Sequence, residues 1–183
     1  MEILKYLSKY KITISLDNVI ILLPLIILLV LVIIKIINKV KKLKDIKVLQ
    51  ICIKGLHQLV LKGIDDENVG KYRNHDVIIS GAQHRPPQYI KVPELMEKLI
   101  MNYDEWDKYH PIVRAALLHG ELVKIYPFID ENGRTSRLIM NMELMRNGYV
   151  PVIIKKDDRL KYYEALDKSH TTGDYKDFVK IVI

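Results

Sequence analysis

The feature that most constrains the fold is a run of sixteen residues, Val19 to Ile34, without one polar side chain. Continued through Lys35 to Ile37, the run spans roughly 28 Å as a helix, close to the roughly 30 Å hydrocarbon core of a bilayer. Lys35 is compatible with a span because its ammonium group can reach the interface along its alkyl chain. A small domain has little use for a helix that is apolar on every side, so the run predicts a single transmembrane helix over 19–37.

The charges on either side of this run predict its orientation. Six lysines follow its apolar core, at positions 35, 39, 41, 42, 44 and 47, whereas three precede it. The positive-inside bias therefore predicts a single-pass protein whose carboxyl-terminal domain is cytoplasmic. The same lysines contribute much of the net charge of +7, and they are expected to attract anionic lipid headgroups. The lipid bilayer is therefore an expected partner. No aromatic-interleaved basic stripe or zinc finger supports binding to nucleic acid.

The chain is accordingly divided into a short amino-terminal segment (1–18), the anchor (19–37), a basic stalk (38–48) and one globular domain (49–183). Apolar periodicity and punctuation by proline and glycine predict a mainly α-helical domain with one small β-hairpin around 77–90. The predicted helices cover about 46–62, 92–102, 111–123, 134–147, 159–168 and 175–182. Met140, Met142 and Met145 are interpreted as core-filling side chains.

A strip from Tyr126 to Arg137 combines an acid, an Asn-Gly pair and two arginines. It indicates a loop that runs into a helix, whose first turn presents free N–H groups and a positive dipole to an anion. Arg134 and Arg137 are three residues apart and suit phosphate oxygens, while Asp130 suits Mg²⁺. A capped surface helix with two solvated arginines fits the strip about equally well.

The strip resembles the signature of the Fic family, His-x-Phe-x-Asp/Glu-Gly-Asn-Gly/Lys-Arg-x-x-Arg, whose members mostly transfer AMP from ATP to protein hydroxyls. The resemblance continues upstream through Gly70 to Pro87 and downstream from Gly148 to Phe178. It implies a Fic-type helical fold and a flap hairpin that positions the target segment, here with Gly81, His84, Pro86 and Pro87. It also implies ATP as a substrate, Mg²⁺ as a cofactor and a protein Ser, Thr or Tyr hydroxyl as the acceptor.

Residue roles follow from the same resemblance. Asp130 is the expected metal ligand, and Tyr126 occupies the position of the catalytic histidine. The expected nucleotide-binding residues are Glu131, Asn132, Gly133, Arg134, Arg137 and Tyr163.

Two positions depart from the signature. Tyr126 replaces the histidine that acts as general base, and a phenol with a pKa near ~10 is about one part in a thousand ionised at neutral pH. Loss of a positioned base costs about 10²–10⁴-fold in rate. Glu131 replaces a glycine, and we expect its carboxylate to screen the anion site and weaken ATP binding. An acidic residue in this first turn also stabilises the helix by about 0.3–1 kcal/mol.

The other histidines offer no strong substitute base. His119 is expected to be buried and hydrogen-bonded, while His57, His75 and His110 are assigned to surface or local hydrogen bonds. His84 lies in the flap-like segment, and His170 lies where relatives often carry an asparagine near the nucleotide base. One cysteine, Cys52, excludes a thiolate zinc site.

Three functions therefore stay open. The chain is a membrane-anchored adenylyltransferase with weakened activity, a nucleotide-binding pseudoenzyme, or a membrane-tethered interaction module without transfer. The sequence leaves the oligomeric state open, with a homodimer among the options.

Overall fold

A computed structural model describes the backbone of residues 16–183 and the side chains of residues 24, 27–35 and 48–183. Within the described backbone, six α-helices are joined by turns and three short 3₁₀ segments. The helices are α1 (Leu16–Leu61), α2 (Val92–Glu105), α3 (Pro111–Ile125), α4 (Asn132–Arg146), α5 (Arg159–Thr172) and α6 (Lys176–Val182). The mainly helical class predicted from the sequence is confirmed.

Local chemistry explains where these helices begin and end. Pro111 opens α3, and the preceding His110 caps it by accepting the Ile112 N–H at 3.4 Å. Pro93 lies in the first turn of α2, where its missing N–H has no helical partner to lose. Gly173 ends α5 in the left-handed conformation, with φ of 78°. For α2 to α6 the predicted ends fall within four residues of the observed ones, but the helix predicted to begin near 46 is the last part of α1, which begins at Leu16.

The chain divides into two compact units, Met1–Lys44 and Asp45–Ile183. In the second unit, α3 is the central helix because it contributes to both hydrophobic clusters. One cluster joins α3 to α1, α2 and the loop before α4 through Leu49, Ile53, Val92, Met96, Leu99, Ile100, Leu118, Leu122, Ile125, Phe128 and Ile139. The other joins α3 to α4, α5 and α6 through Ala115, Ala116, Val123, Met140, Leu144, Tyr162, Ala165, Leu166, Tyr175, Phe178 and Val182.

This arrangement tests the methionine assignment. Met140 is fully buried and Met142 packs partly against the core, as expected. Met145 is 54% exposed, so its interpretation as core filler is wrong. At about 100° per residue it falls on the face of α4 opposite to the one that buries Ile139, Met140 and Glu143.

The predicted anchor and stalk lie partly outside the residues whose side chains are described, as does most of the amino-terminal segment 1–18. Among the residues that the structure describes, no helix combines the length and apolarity needed to cross a membrane. The transmembrane helix over 19–37 therefore stays a prediction.

The predicted hairpin over 77–90 is wrong: this stretch of the described chain forms no strand. It is an extended loop with a turn at Gly81, where the Ala82 N–H donates to the Ile79 carbonyl at 3.3 Å. The loop is held by side chains instead of a ladder. Asp167 of α5 accepts the N–H groups of Gln83 and His84 at 3.0 and 2.8 Å. We call residues 77–88 the flap-like loop.

Candidate functional site

The residues of the Tyr126–Arg137 strip lie together at the junction of α3 and α4. Helix α3 ends at Ile125, and Tyr126 follows in the left-handed conformation, with φ of 52°. Its N–H donates to the Leu122 carbonyl at 3.0 Å. Glu131 precedes α4 with φ of 58°, so a left-handed residue stands at each end of the loop. These are the two described residues other than glycine with positive φ, and they are the two departures from the signature.

Asn132 holds the loop in shape from inside. Its side-chain amide accepts the Phe128 N–H at 2.9 Å and donates to the Phe128 carbonyl at 2.9 Å. Because the residue is buried and its amide is engaged with the loop, it does not reach out to a phosphate. The prediction that Asn132 binds nucleotide is therefore refined: its side chain shapes the loop, and its backbone N–H belongs to the first turn of α4.

His57, on α1, supports the same loop from behind and was misassigned from the sequence to the surface or to local bonding. It is 1% exposed, and its ring stacks on Phe128 with centroids 3.7 Å apart. Its Nδ1 accepts the Gly70 N–H at 2.9 Å, which leaves Nε2 to face the Asp130 carbonyl at 3.3 Å. Burial lowers its pKa, so the ring stays neutral and keeps this donor pattern.

Arg73 joins the signature loop to the flap-like loop. Its buried guanidinium donates from Nε to the Tyr126 carbonyl at 2.8 Å. It also donates to the carbonyls of His75 and Pro87. A buried arginine with three carbonyl partners is a structural clamp. Arg73 lies in the stretch that resembles the family, but its role as a clamp could not be predicted because its partners lie up to 53 residues away along the chain.

The Tyr126 phenol is half-buried, and its environment makes it a poorer base than free tyrosine. Burial raises its pKa, and the nearby Asp130 carboxylate acts in the same direction, whereas a hydrogen bond with Asn132 opposes them. A group must lose its proton before it can accept one from a hydroxyl, and a raised pKa makes that form rarer at neutral pH. The structure therefore strengthens the sequence argument against Tyr126 as a general base.

The first turn of α4 has the features of an anion site. Its leading N–H groups have no partner within the helix. The Arg137 guanidinium lies beside this turn, since a Cβ at Gly133 would be at an ordinary van der Waals separation of 3.5 Å from one of its terminal nitrogens. Arg137 is half-buried and hydrogen-bonded to Tyr162, whose pKa burial raises to about 12 despite the arginine's charge.

The Glu131 carboxylate offsets part of the positive charge at this site. Its Oε2 lies 3.2 Å from Nε of Arg134, whose side chain is largely exposed. The carboxylate therefore neutralises one of the two arginines that the strip offers to phosphate. No side chain caps the start of α4.

Asp130 is exposed, and one of its oxygens accepts the Glu131 N–H at 2.7 Å. In the described part of the chain, no group of three or more His, Cys, Asp or Glu side chains is arranged to hold a metal ion. A single free carboxylate oxygen nevertheless fits Mg²⁺ that arrives with a nucleotide, because that ion takes few protein ligands and many phosphate and water oxygens.

The remaining predicted residues are near the site or packed away from it. Tyr163 is 57% exposed on α5, beside the buried Tyr162 ring. His84 donates from Nε2 to the Lys124 carbonyl at 2.9 Å, and Pro86 and Pro87 follow it, half-buried.

His119 and His170 are engaged within the fold. His119 is buried and hydrogen-bonded, as expected, with its Nε2 3.1 Å from the Tyr162 hydroxyl oxygen. His170 is also buried, and its Nε2 donates to the Gly120 carbonyl at 2.9 Å. With its ring committed to that carbonyl, His170 does not present a free edge to a base.

Comparison with known proteins agrees with this geometry. Residues 50–144 match the model of the Fic/DOC family. The chain is 43% identical over 143 residues to the protein adenylyltransferase Fic of Drosophila willistoni, covering 73% of this chain and 27% of that protein. The chain thus spans about a quarter of the length of that curated relative.

Solved structures show the same fold. Fic-1 from C. elegans superposes with a TM-score of 0.61 at 34% identity, covering 71% of this chain and 38% of that one. A Fic family protein from Desulfovibrio desulfuricans gives a TM-score of 0.60 at 32% identity, covering 71% and 42%. The match to the family model includes the whole strip from Tyr126 to Arg137. The chain belongs to the Fic/DOC family.

Proposed function

We propose that this chain is a protein adenylyltransferase of reduced turnover, which moves AMP from ATP to a hydroxyl group of a target protein. The observation that carries the proposal is the first turn of α4, where free N–H groups, Gly133 and the guanidinium of Arg137 converge on one anion site. The named activity of the Drosophila relatives supports the same reaction.

In this reaction the oxygen of the target hydroxyl attacks the α-phosphorus of ATP, the bond to the β-phosphate oxygen breaks, and pyrophosphate leaves. Arg137 and the α4 N–H groups bind and orient the phosphates, and Arg134 joins them when it is released from Glu131. Tyr163 is exposed beside the ring of Tyr162, which hydrogen-bonds Arg137, and it is proposed to line the nucleotide site. Asp130 would hold Mg²⁺, which supplies charge neutralisation to the phosphates.

Among the residues that the structure describes, no efficient acceptor for the hydroxyl proton stands at the base position. Tyr126 stands at the base position, but its raised pKa keeps it protonated at neutral pH. We expect the proton to leave to solvent at a cost of about 10²–10⁴-fold in rate. Positioning and charge stabilisation still operate without the base, so weak transfer is retained.

A second candidate is a nucleotide-binding pseudoenzyme. Two features favour it: Tyr126 stays protonated at the base position, and Glu131 forms an ion pair with Arg134. A membrane-tethered interaction module is a third candidate, and it differs from both in requiring no nucleotide.

One experiment separates the three. The full chain is incubated with ATP labelled at the α-phosphate and with candidate proteins, beside Tyr126→His and Tyr126→Phe variants. We expect slow transfer by the parent, transfer faster by 10-fold or more for Tyr126→His, and no change for Tyr126→Phe, which keeps the ring but lacks the hydroxyl. ATP binding without transfer by any variant would support the pseudoenzyme, and absence of binding would support the interaction module.

We also propose that residues 19–37 anchor the chain in a bilayer with the 49–183 domain cytoplasmic. The eight consecutive apolar side chains from Ile27 to Ile34 are each 45–59% exposed, although together they cover every side of α1. Alkaline carbonate extraction of membranes tests this anchor, since a peripheral protein is released and an integral one is retained. A reporter fused after Ile183 tests the orientation, and an exported reporter would overturn it.

A further inference from the structure

A cavity of about 340 Å³ lies between the flap-like loop, α2 and α3, and none of the residues assigned above to nucleotide or metal binding lines it. Its apolar part is formed by Pro87, Leu95, Leu99 and Ile125. Ligand sites range from about 300 to 1,000 Å³, so this cavity suits one or two side chains.

Half of the polar lining of the cavity is cationic, and the rest is His84, Asn102 and Glu121. Arg85, Lys98 and Lys124 line it, against one carboxylate, that of Glu121. Glu121 is already engaged, because it accepts the Tyr175 hydroxyl at 2.7 Å and lies 3.9 Å from the Lys124 ammonium. Arg85 and Lys98 form no ion pair within the part of the chain that the structure describes. The cavity therefore offers positive charge above an apolar floor.

This cavity is directly connected to the position where the acceptor hydroxyl must lie. Ile125 lines it and is followed by Tyr126, so their Cα atoms are about 3.8 Å apart. The Arg73 guanidinium donates both to the carbonyl of Pro87, in the cavity wall, and to the carbonyl of Tyr126. An extended polypeptide advances about 3.3 Å per residue, so a target hydroxyl near Tyr126 places side chains a few residues away at the cavity.

We propose that this cavity is a specificity pocket for an acidic side chain, Glu or Asp, that lies within four residues of the modified hydroxyl in the target polypeptide. The carboxylate contacts Arg85 and Lys98, and the aliphatic stem packs on Leu95 and Leu99. This proposal rests on the proposed function, because it names the kind of protein segment that the same site modifies.

The test measures peptide binding in the absence of nucleotide. Fluorescein-labelled nonapeptides with a central serine and otherwise neutral residues carry Glu, Gln or Lys at one position from −4 to +4. Anisotropy titration of the full chain is expected to find one or two positions at which Glu binds at least about fivefold tighter than Gln, as two partly exposed cations allow. Equal binding of Glu and Gln peptides at every position would overturn the proposal.

Charge reversal sharpens the test. Lys98→Glu is expected to abolish the preference for Glu and to favour the Lys peptide at the same position, and Arg85→Glu is expected to weaken the preference in the same direction. Both side chains are exposed, so the variants should fold, which circular dichroism checks. Lys108→Glu is the matched control, because Lys108 is exposed in the 3₁₀ segment Trp106–Lys108, just before α3 begins at Pro111. Ile125, which lines the cavity, is at the far end of α3, roughly 21 Å along the helix, so the control should leave the preference unchanged. Loss of the preference in the control would assign it to overall charge and overturn the pocket.

Further measurements distinguish a small-anion site from a side-chain pocket, and failure of the pocket from failure of the proposed function. Free glutamate or inorganic phosphate that competes with the Glu peptide at equal concentration would identify a small-anion site and overturn the proposal. Because binding needs no ATP, a preference for Glu without transfer by any variant would refute the adenylyltransferase function alone. Transfer by Tyr126→His to Glu and Gln peptides with equal kcat/KM would refute the pocket alone.

Discussion

Replacement of Glu131 by glycine should tighten nucleotide binding, because it changes both the charge and the backbone strain of the anion site. The parent carboxylate pairs with Arg134 at 3.2 Å and stands at the start of α4. At roughly 7 Å from a phosphate charge, a carboxylate repels it by about 0.6–2.4 kcal/mol for an effective dielectric constant between ~80 and ~20. Glu131→Gly should therefore lower the Kd for ATP by about 3- to 50-fold.

The same substitution should have little effect on stability. A side chain in the left-handed region costs about 1–2 kcal/mol, which glycine relieves at φ of 58°. Against this stand the greater chain entropy of unfolded glycine, about 0.5–1 kcal/mol, and the partly exposed ion pair with Arg134, about 0.2–1 kcal/mol. These terms nearly cancel, so we expect the free energy of unfolding to change by no more than about 1 kcal/mol.

Calorimetric titration with ATP and Mg²⁺ measures the affinity, and urea denaturation measures the stability. Glu131→Gln is the charge control, because it keeps the side chain and the strain but removes the charge. It should recover most of the gain in affinity. If Glu131→Gly binds ATP no more tightly than the parent, the assignment of Glu131 as a screen of the anion site is refuted.

Three further predictions follow from buried groups. Burial lowers the pKa of His119 to about 3 and of His170 to about 4, so the unfolded chain binds more protons than the folded chain below pH 6.5. The free energy of unfolding should therefore fall by up to about 2 kcal/mol per histidine between pH 7.5 and pH 5. Urea denaturation at both pH values checks this, and an unchanged free energy of unfolding would contradict it. Asn132→Ala should cost about 2–4 kcal/mol by denaturation, since two backbone groups of the loop lose partners, and Asn132→Asp, which keeps the acceptor, should cost less. Gly120→Ala should lower stability by about 1–3 kcal/mol, because the new Cβ would lie 2.3 Å from the Tyr175 ring, and an unchanged melting temperature would show that the ring moves freely.

Sequence patterns predicted the helices well because helical periodicity and capping are local properties. Pro111 marks a helix start through its own backbone chemistry, and α3 begins there as predicted, whereas α5 continues past its predicted end near 168 to Gly173. The hairpin prediction was wrong because backbone N–H groups that could pair two strands can instead bind side chains distant in sequence. Asp167, more than eighty residues away, captures the two N–H groups of the flap-like loop.

The candidate site shows the same division. Its chemistry-bearing residues form one contiguous strip that a signature can recognise, so Tyr126 and Arg137 were found. The groups that hold the strip in shape, His57 and Arg73, lie on other parts of the chain, and their bonds to the strip could not be predicted even though Arg73 lies in the stretch that resembles the family. For Asn132 the sequence predicted the residue but not the direction of its amide, which depends on the buried environment of Phe128.

In this loop, the residues that hold the backbone conformation therefore differ from those that carry the proposed chemistry. Its conformation depends on the hydrogen bonds that His57, Arg73 and Asn132 make with backbone atoms, although Asn132 also bonds the Tyr126 phenol at one of the two departures from the signature. Tyr126 affects proton removal, while Glu131 affects the charge that meets the phosphates. Since one alters a step after binding and the other alters binding itself, their substitutions should act on kcat and KM separately and combine nearly additively. On the proposed function, a scaffold held in this way keeps its geometry while the two departures lower its activity, so replacing those two side chains tests whether the site still works.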